Sequence, residues 1–432
     1  MSSQFPSISI INGRLVDPAN HIDEALDLHI AEGKVLAVGK KPEGFEPEKI
    51  IDAKNKIVCP GLVDINVRLR EPGLEFKATI ESETAAAAKA GITTLVCQPD
   101  TNPVIDTAAV VELIRRKAKH SGKARVLTLG AMTQSLAGHE ISEMSALKAA
   151  GCVAISNAGK PLANTLVERR ALEYASTFDI NVFVKPEDPH LRNKGCVHEG
   201  VVAARLGLPG FAQSAETVAI ARDIALAEAT NARLHFQTIS TARGVQKIQQ
   251  GLNNGISLSA DVAAHQLHLT EQDVDGFDSC CHVDPPLRTL LDRDALRQAV
   301  ADGTISAICS DHQPHDMDAK LHPFPESEAG ISSLETLLGL TLKLVQDKII
   351  DLPTAIARLT IGPAEITDLP FGRLDVGRSA DICIFDLESH WILNDEEIIS
   401  EGHNTPFINW EFSGQVTHTL FEGRLVHERK PR

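Results

Sequence analysis

Residues 57–73 read Ile-Val-Cys-Pro-Gly-Leu-Val-Asp-Ile-Asn-Val-Arg-Leu-Arg-Glu-Pro-Gly. The run is almost continuously apolar from Ile57 to Ile65. It turns polar at Asn66, Arg68 and Arg70, and Pro72-Gly73 breaks it. A strand buried on both faces of a parallel sheet reads this way. In a (β/α)8 barrel the chemistry sits at the C-terminal ends of such strands, where loops begin. The stretch therefore predicts one buried strand whose polar end stands at the mouth of a pocket.

Working outward, the chain from 57 to about 365 alternates strand and helix. Strand-like runs follow at TTLVCQPD, RVLTLGAM, CVAISN, NVFVKPED, RLHFQTIS, ISLSADVAAH and TISAICSDHQ. Helical patterns cover 76–90, 107–120, 142–150, 166–177, 215–229, 241–250 and 330–345. Eight strands, each followed by a helix or long loop, predict an α/β fold with a parallel TIM-type barrel over 59–366. The two ends differ in texture. LDLHI and VLAVG alternate as half-buried antiparallel strands do, and ADICIFDL and VTHTLFEGRLV repeat that texture late in the chain. Gly13-Arg14-Leu15-Val16 recurs as Gly423-Arg424-Leu425-Val426. Two halves of one small β-sandwich, 1–58 and 367–432, would explain the recurrence; so would chance.

Composition narrows the function classes. At 432 residues, 43% hydrophobic and 23% charged, the chain is ordinary for a globular protein. A net charge of −16 argues against a nucleic-acid partner. There is no apolar run of about 18 residues for a membrane span and no basic-then-apolar leader, so a cytoplasmic protein is expected. The eight cysteines show no framework spacing and are read as buried free thiols of a reducing compartment.

The frame Pro60-Gly61, Val63-Asp64 and Leu69-Arg70-Glu71-Pro72-Gly73 resembles the first-strand signature of the dihydroorotase branch of the metal-dependent amidohydrolases. In that signature two histidines, as H-x-H, ligate metal. Here Asn66 and Arg68 stand in their places; asparagine is a poor ligand and arginine, always protonated, is none. Ser156-Asn157-Ala158-Gly159 resembles SDDG, with Asn157 where a ligating aspartate is expected. Lys185-Pro186-Glu187-Asp188 resembles H-C-E-D, with Lys185 for the histidine; a carbamylated lysine there is the remote alternative. His235-Phe236-Gln237-Thr238 resembles H-x-x-H, with Thr238 for the ligand and His235 read as a core residue. Only Asp311, in Ser310-Asp311-His312-Gln313-Pro314-His315, keeps its ligand identity. His312 and His315 are read as support behind the site, or less readily as a zinc pair. On the substrate side Arg70 is kept, Asp100 and Asp284 replace asparagines, and His265 is a further pocket position.

The resemblance covers nearly the whole chain and is nearest to the non-catalytic dihydroorotase homologues that accompany aspartate carbamoyltransferase. It implies no metal or other cofactor, no catalytic residue, and a structural role beside the carbamoyltransferase chains in pyrimidine biosynthesis. Symmetric self-association is expected on general grounds. The alternative is a working hydrolase of a cyclic amide, dihydroorotate or hydantoin, with a rebuilt site around Asp311, His312 and His265. Since a lone buried carboxylate is costly, Arg68 or Lys185, or both, are expected to pair with Asp311.

Overall fold

The computed structural model describes residues 5–430. Eight parallel strands form the barrel: β1 (Leu62–Val67), β2 (Ile92–Cys97), β3 (Arg125–Ala131), β4 (Ala154–Ser156), β5 (Val182–Val184), β6 (Leu234–Phe236), β7 (Leu258–Ala263) and β8 (Ala307–Cys309). Each pairs with the next in chain order. The ring closes just past the strand ends, where Val67 bridges His312 and the Arg68 N–H donates to the His312 carbonyl at 2.9 Å. Inside the ring Val63, Ile65, Val96, Leu129, Phe183, Ala263 and Ala307 pack as one buried cluster. These are the strand residues whose side chains point inward, so the barrel is filled rather than hollow.

Helices α1 (Ile80–Lys89), α2 (Ala108–Ser121) and α3 (Met144–Ala150) follow β1, β2 and β3. The first starts at Thr79, whose side chain caps the backbone of Ser82 while Ser82 caps back. It therefore begins four residues later than the hydrophobic pattern from 76 indicates. The 330–345 pattern is likewise shortened, to Leu337–Gln346, because Leu334–Thr336 forms a 3-10 turn first.

The opening stretch is two strands, not one. Ile57–Pro60 pairs antiparallel with Ile382–Ile392 and parallel with Arg14–Asp17, in a sheet outside the barrel. The chain turns at Gly61 and enters β1. A side chain at Gly61 would meet Thr93 Oγ1 at 2.2 Å, so the crossing needs glycine. Burial on both sides of the turn makes the run look continuous in sequence.

The six-stranded sheet runs Arg424–Glu428, Glu411–Phe421, Ile382–Ile392, Ile57–Pro60, Arg14–Asp17, Ile22–Ala25. It faces a four-stranded sheet of Lys34–Val38, Leu28–Ala31, Ile8–Ile11 and Lys49–Asp52. Ile8, Ile10, Leu28, Ile30, Ile382 and Ile384 fill the space between them. The two GRLV copies lie in one sheet, as Arg14–Asp17 and Arg424–Glu428. All eight cysteines are free, and all but Cys280 are buried. Among the described residues no helix is long and apolar enough to cross a membrane.

Candidate functional site

The loops after the eight strands enclose a cavity of about 780 Å³ at the C-terminal mouth of the barrel. Asn66, Arg68, Arg70, Asp100, Lys185, Thr238, Asp284 and Asp311 all line it. Arg70, Thr238 and Asp311 have positive φ, at 62°, 50° and 50°. A β-branched threonine in that region is an outlier, and such backbone persists only where surroundings hold it. At Thr238 the holding group is the buried Asp261, which accepts the Thr238 N–H at 2.6 Å.

Asp311 is held by amides. The Asn66 Nδ2 donates to its Oδ1 at 3.0 Å, and Gln313 Nε2 lies 3.2 Å from both of its oxygens. Asn66 Oδ1 in turn accepts from Gln98 Nε2 at 2.8 Å. Burial raises the Asp311 carboxyl to about 7, against the pull of Arg68, Lys185 and Gln313.

The cations pair only in part as the sequence predicts: Arg68 reaches Asp311 at the limit of an ion pair, and Lys185 does not. Arg68 Nε donates to Asp100 Oδ2 at 2.7 Å, and its Nη1 reaches Asp311 only at 3.9 Å. Lys185 lies 2.7 Å from Asp284 Oδ1 and 3.7 Å from Glu187, and forms no ion pair with Asp311. The reason is proximity: each cation has a carboxylate nearer than Asp311, on the loop after another strand. Burial opposes ionisation of Asp284, but Lys185 and Arg192 outweigh it and hold the carboxyl at about 2. Asp100, half-buried, is lowered by Arg68 and Arg70. Arg68 thus neutralises Asp100, the aspartate that replaces an asparagine at this end of the mouth. Lys185 faces Asp284, an anion that a carbamate at this position would repel.

Two positions expected at the pocket stand apart. The Asn157 side chain turns away from the mouth, accepting from Thr133 Oγ1 at 2.8 Å and donating to the Lys160 carbonyl at 2.9 Å. His265 is sealed in the core after β7, both ring nitrogens without partners, and burial lowers its pKa to about 3. His235 is the core residue expected, bonded to Ser259 at 2.8 Å and Asp261 at 2.9 Å. His312 uses both nitrogens, on Glu83 at 2.7 Å and the Ser333 N–H at 3.0 Å. His315 is bonded by Arg70 at 3.1 Å and Lys77 at 3.2 Å.

Arg192, Gln98 and Gln313 also shape the mouth, and nothing in the sequence singles out the two glutamines. Arg192 pairs with Glu187 at 2.8 Å and Asp284 at 3.1 Å. It sits just after Glu187-Asp188-Pro189, and a cation following that acidic pair was the available signal. The 316–329 loop contributes Pro325, Ser327, Glu328 and Ala329 to the cavity wall, and Glu328 is tied to Lys77 at 2.6 Å.

Residues 55–243 match the family model described as Dihydro-orotase-like. A "Dihydroorotase-like protein" of Pseudomonas aeruginosa is 47% identical over 98% of this chain and 100% of its own length. The chain belongs to the dihydroorotase-like family. A protein named "Dihydroorotase" from Syntrophotalea carbinolica is 44% identical over 97% of this chain and 99% of its own. An L-hydantoinase structure from Arthrobacter aurescens superimposes with a TM-score of 0.87 at 24% identity, covering 98% and 96% of the two chains, which shows the amidohydrolase barrel fold.

That fold implies bound metal at the mouth. The side chains of this dihydroorotase-like protein do not fit it. Of the positions Asn66, Arg68, Lys185, Thr238 and Asp311, only Asp311 offers an anionic donor, and the other two charged ones, Arg68 and Lys185, are cations. His312, the neighbouring candidate, is committed on both nitrogens. Among the described residues no three His, Cys, Asp or Glu side chains are grouped to hold an ion.

Proposed function

We propose that this dihydroorotase-like protein is a non-catalytic member of its family, a structural subunit that assembles with aspartate carbamoyltransferase chains in the cytoplasm. The observation that carries the first half is the pair of ion pairs Arg68–Asp100 and Lys185–Asp284 across the mouth. Cyclic-amide hydrolysis needs an activated water and a polarised carbonyl, and a metal supplies both, lowering the pKa of its bound water to about 7 and acting as a Lewis acid on the carbonyl oxygen. Arginine can polarise an oxygen but cannot deliver hydroxide. The carboxylates beside both cations neutralise them, leaving a cavity that keeps its shape without the donor set for that chemistry. The partnership and self-association as a pair rest on the resemblance described above. Eight free thiols suit a reducing compartment.

The test has two arms. Purified protein should contain less than one equivalent of zinc per ten chains and should not turn over dihydroorotate or hydantoin. Mixed with aspartate carbamoyltransferase, it should elute as one larger species by size-exclusion with light scattering. Separate elution would remove the structural role.

A second reading, hydrolysis of a cyclic amide, is favoured by one feature: Asp311 is placed near neutrality in the cavity, where a proton carrier is useful. Relatives named dihydroorotase suit it as well. Turnover that disappears in Asp311→Asn would establish it.

A further inference from the structure

At the opposite end of the barrel a second cavity, of about 310 Å³, lies between α2, the start of β3 and the 421–424 turn of the sandwich. This is within the range of small-molecule sites, about 300–1,000 Å³. One wall is apolar, formed by Val111, Ala118, Val126, Leu127 and Phe421. The rest carries four cations, Arg115, Lys119, Arg125 and Arg424, against the single carboxylate Glu422. In a chain of net charge −16 this is a local reversal of sign.

Two of the cations are committed to carboxylates outside the wall. Arg115 bonds Glu112 at 2.8 Å, and Arg125 bonds Asp381 at 2.8 Å while lying over the Phe371 and Phe421 rings at 3.6 and 5.0 Å. The other two are not so held. Lys119 has no ion pair among the described residues, and Arg424 meets Glu422 only at 3.7 Å. The Arg424 Nε is buried and donates to nothing. The accessible part of the Arg424 side chain and the exposed Lys119 are thus the positive charges that an anion in the cavity would meet.

We propose that this cavity binds a small organic anion, with its carboxylate or phosphate head against Lys119 and Arg424 and its apolar body on Val111, Val126 and Phe421. The proposal is independent of what the mouth does. Calorimetric titration of the intact protein tests it with benzoate and phenyl phosphate as the two head groups, and with benzamide and inorganic phosphate as probes lacking the charge or the body. At least one of the first two should bind, and the latter two should bind about tenfold or more weakly. Lys119→Ala and Arg424→Gln should each weaken binding about tenfold, whereas Arg70→Ala at the mouth should leave it unchanged. Lys119 is exposed on a helix where alanine is favoured, so that variant should fold; circular dichroism verifies each. Failure of both organic anions to bind at millimolar concentration, equal binding of benzamide or inorganic phosphate, or loss of binding in Arg70→Ala alone would each overturn the assignment.

Discussion

Two corners of the barrel mouth have met the same electrostatic problem differently. At the first, between the β1 and β2 loops, one arginine faces one aspartate, with Asp311 at the limit of its reach. At the second, between the β5 and β7 loops, Lys185 and Arg192 face Asp284 and Glu187, and every charge has two opposite neighbours. The first corner has no spare partner. The second is redundant, and its cost appears elsewhere: burial together with Asp284 raises the Glu187 carboxyl. A buried charge tolerates loss of one partner only if another remains.

The sharpest way to break this comparison is Arg68→Ala. It leaves the half-buried Asp100 with no ion-pair partner and removes one cation from the buried Asp311, so it should cost about 2–3 kcal/mol in urea unfolding. Lys185→Ala should cost less, about 1–2 kcal/mol, because Arg192 still faces Asp284. The Lys185→Ala, Arg192→Ala double variant should then lose more than the sum of its singles, by about 0.5–3 kcal/mol. Equal losses for Arg68→Ala and Lys185→Ala, with additive behaviour in the double variant, would erase the distinction.

His265 supplies the uncharged control. Its ring is buried outside both corners with neither nitrogen bonded, so His265→Leu should change stability at pH 7 by no more than about 1 kcal/mol. Its effect should appear in acid. Burial lowers the folded-state pKa from 6.5 to about 3. Between those values the unfolded chain binds a proton that the folded chain does not, so stability falls as pH drops through that window. Removing the imidazole should make that decline shallower, as followed by urea midpoints from pH 7 to pH 4. An unchanged slope would place the acid sensitivity in the other buried histidines, such as His268.

Much of the architecture is legible in the chain because burial on both faces leaves its mark on each strand separately. TTLVC, RVLTL and SADVA announce themselves without reference to one another. The His235 ring could be assigned to the core for the same local reason. The break at Gly61 could not be read, because Ile57–Pro60 and Leu62–Val67 are both fully buried, one in the sandwich and one in the barrel. Asn157, from its place in Ser156-Asn157-Ala158-Gly159, and His265 are both expected at the pocket. Local backbone turns them away from it, and such rotation leaves no trace in residue type.

The amino-acid order alone determined that histidine donors are missing at four positions on three strand ends and that Arg68 and Lys185 bring positive charge to two of those ends. Composition is local, and a guanidinium is charged in any fold. Only the folded chain decided which anions those cations answer to. Arg68 and Asp100 stand on loops after different strands, as do Lys185 and Asp284. Their separations of 2.7 Å in each case arise from closure of the barrel, which brings distant segments to one rim.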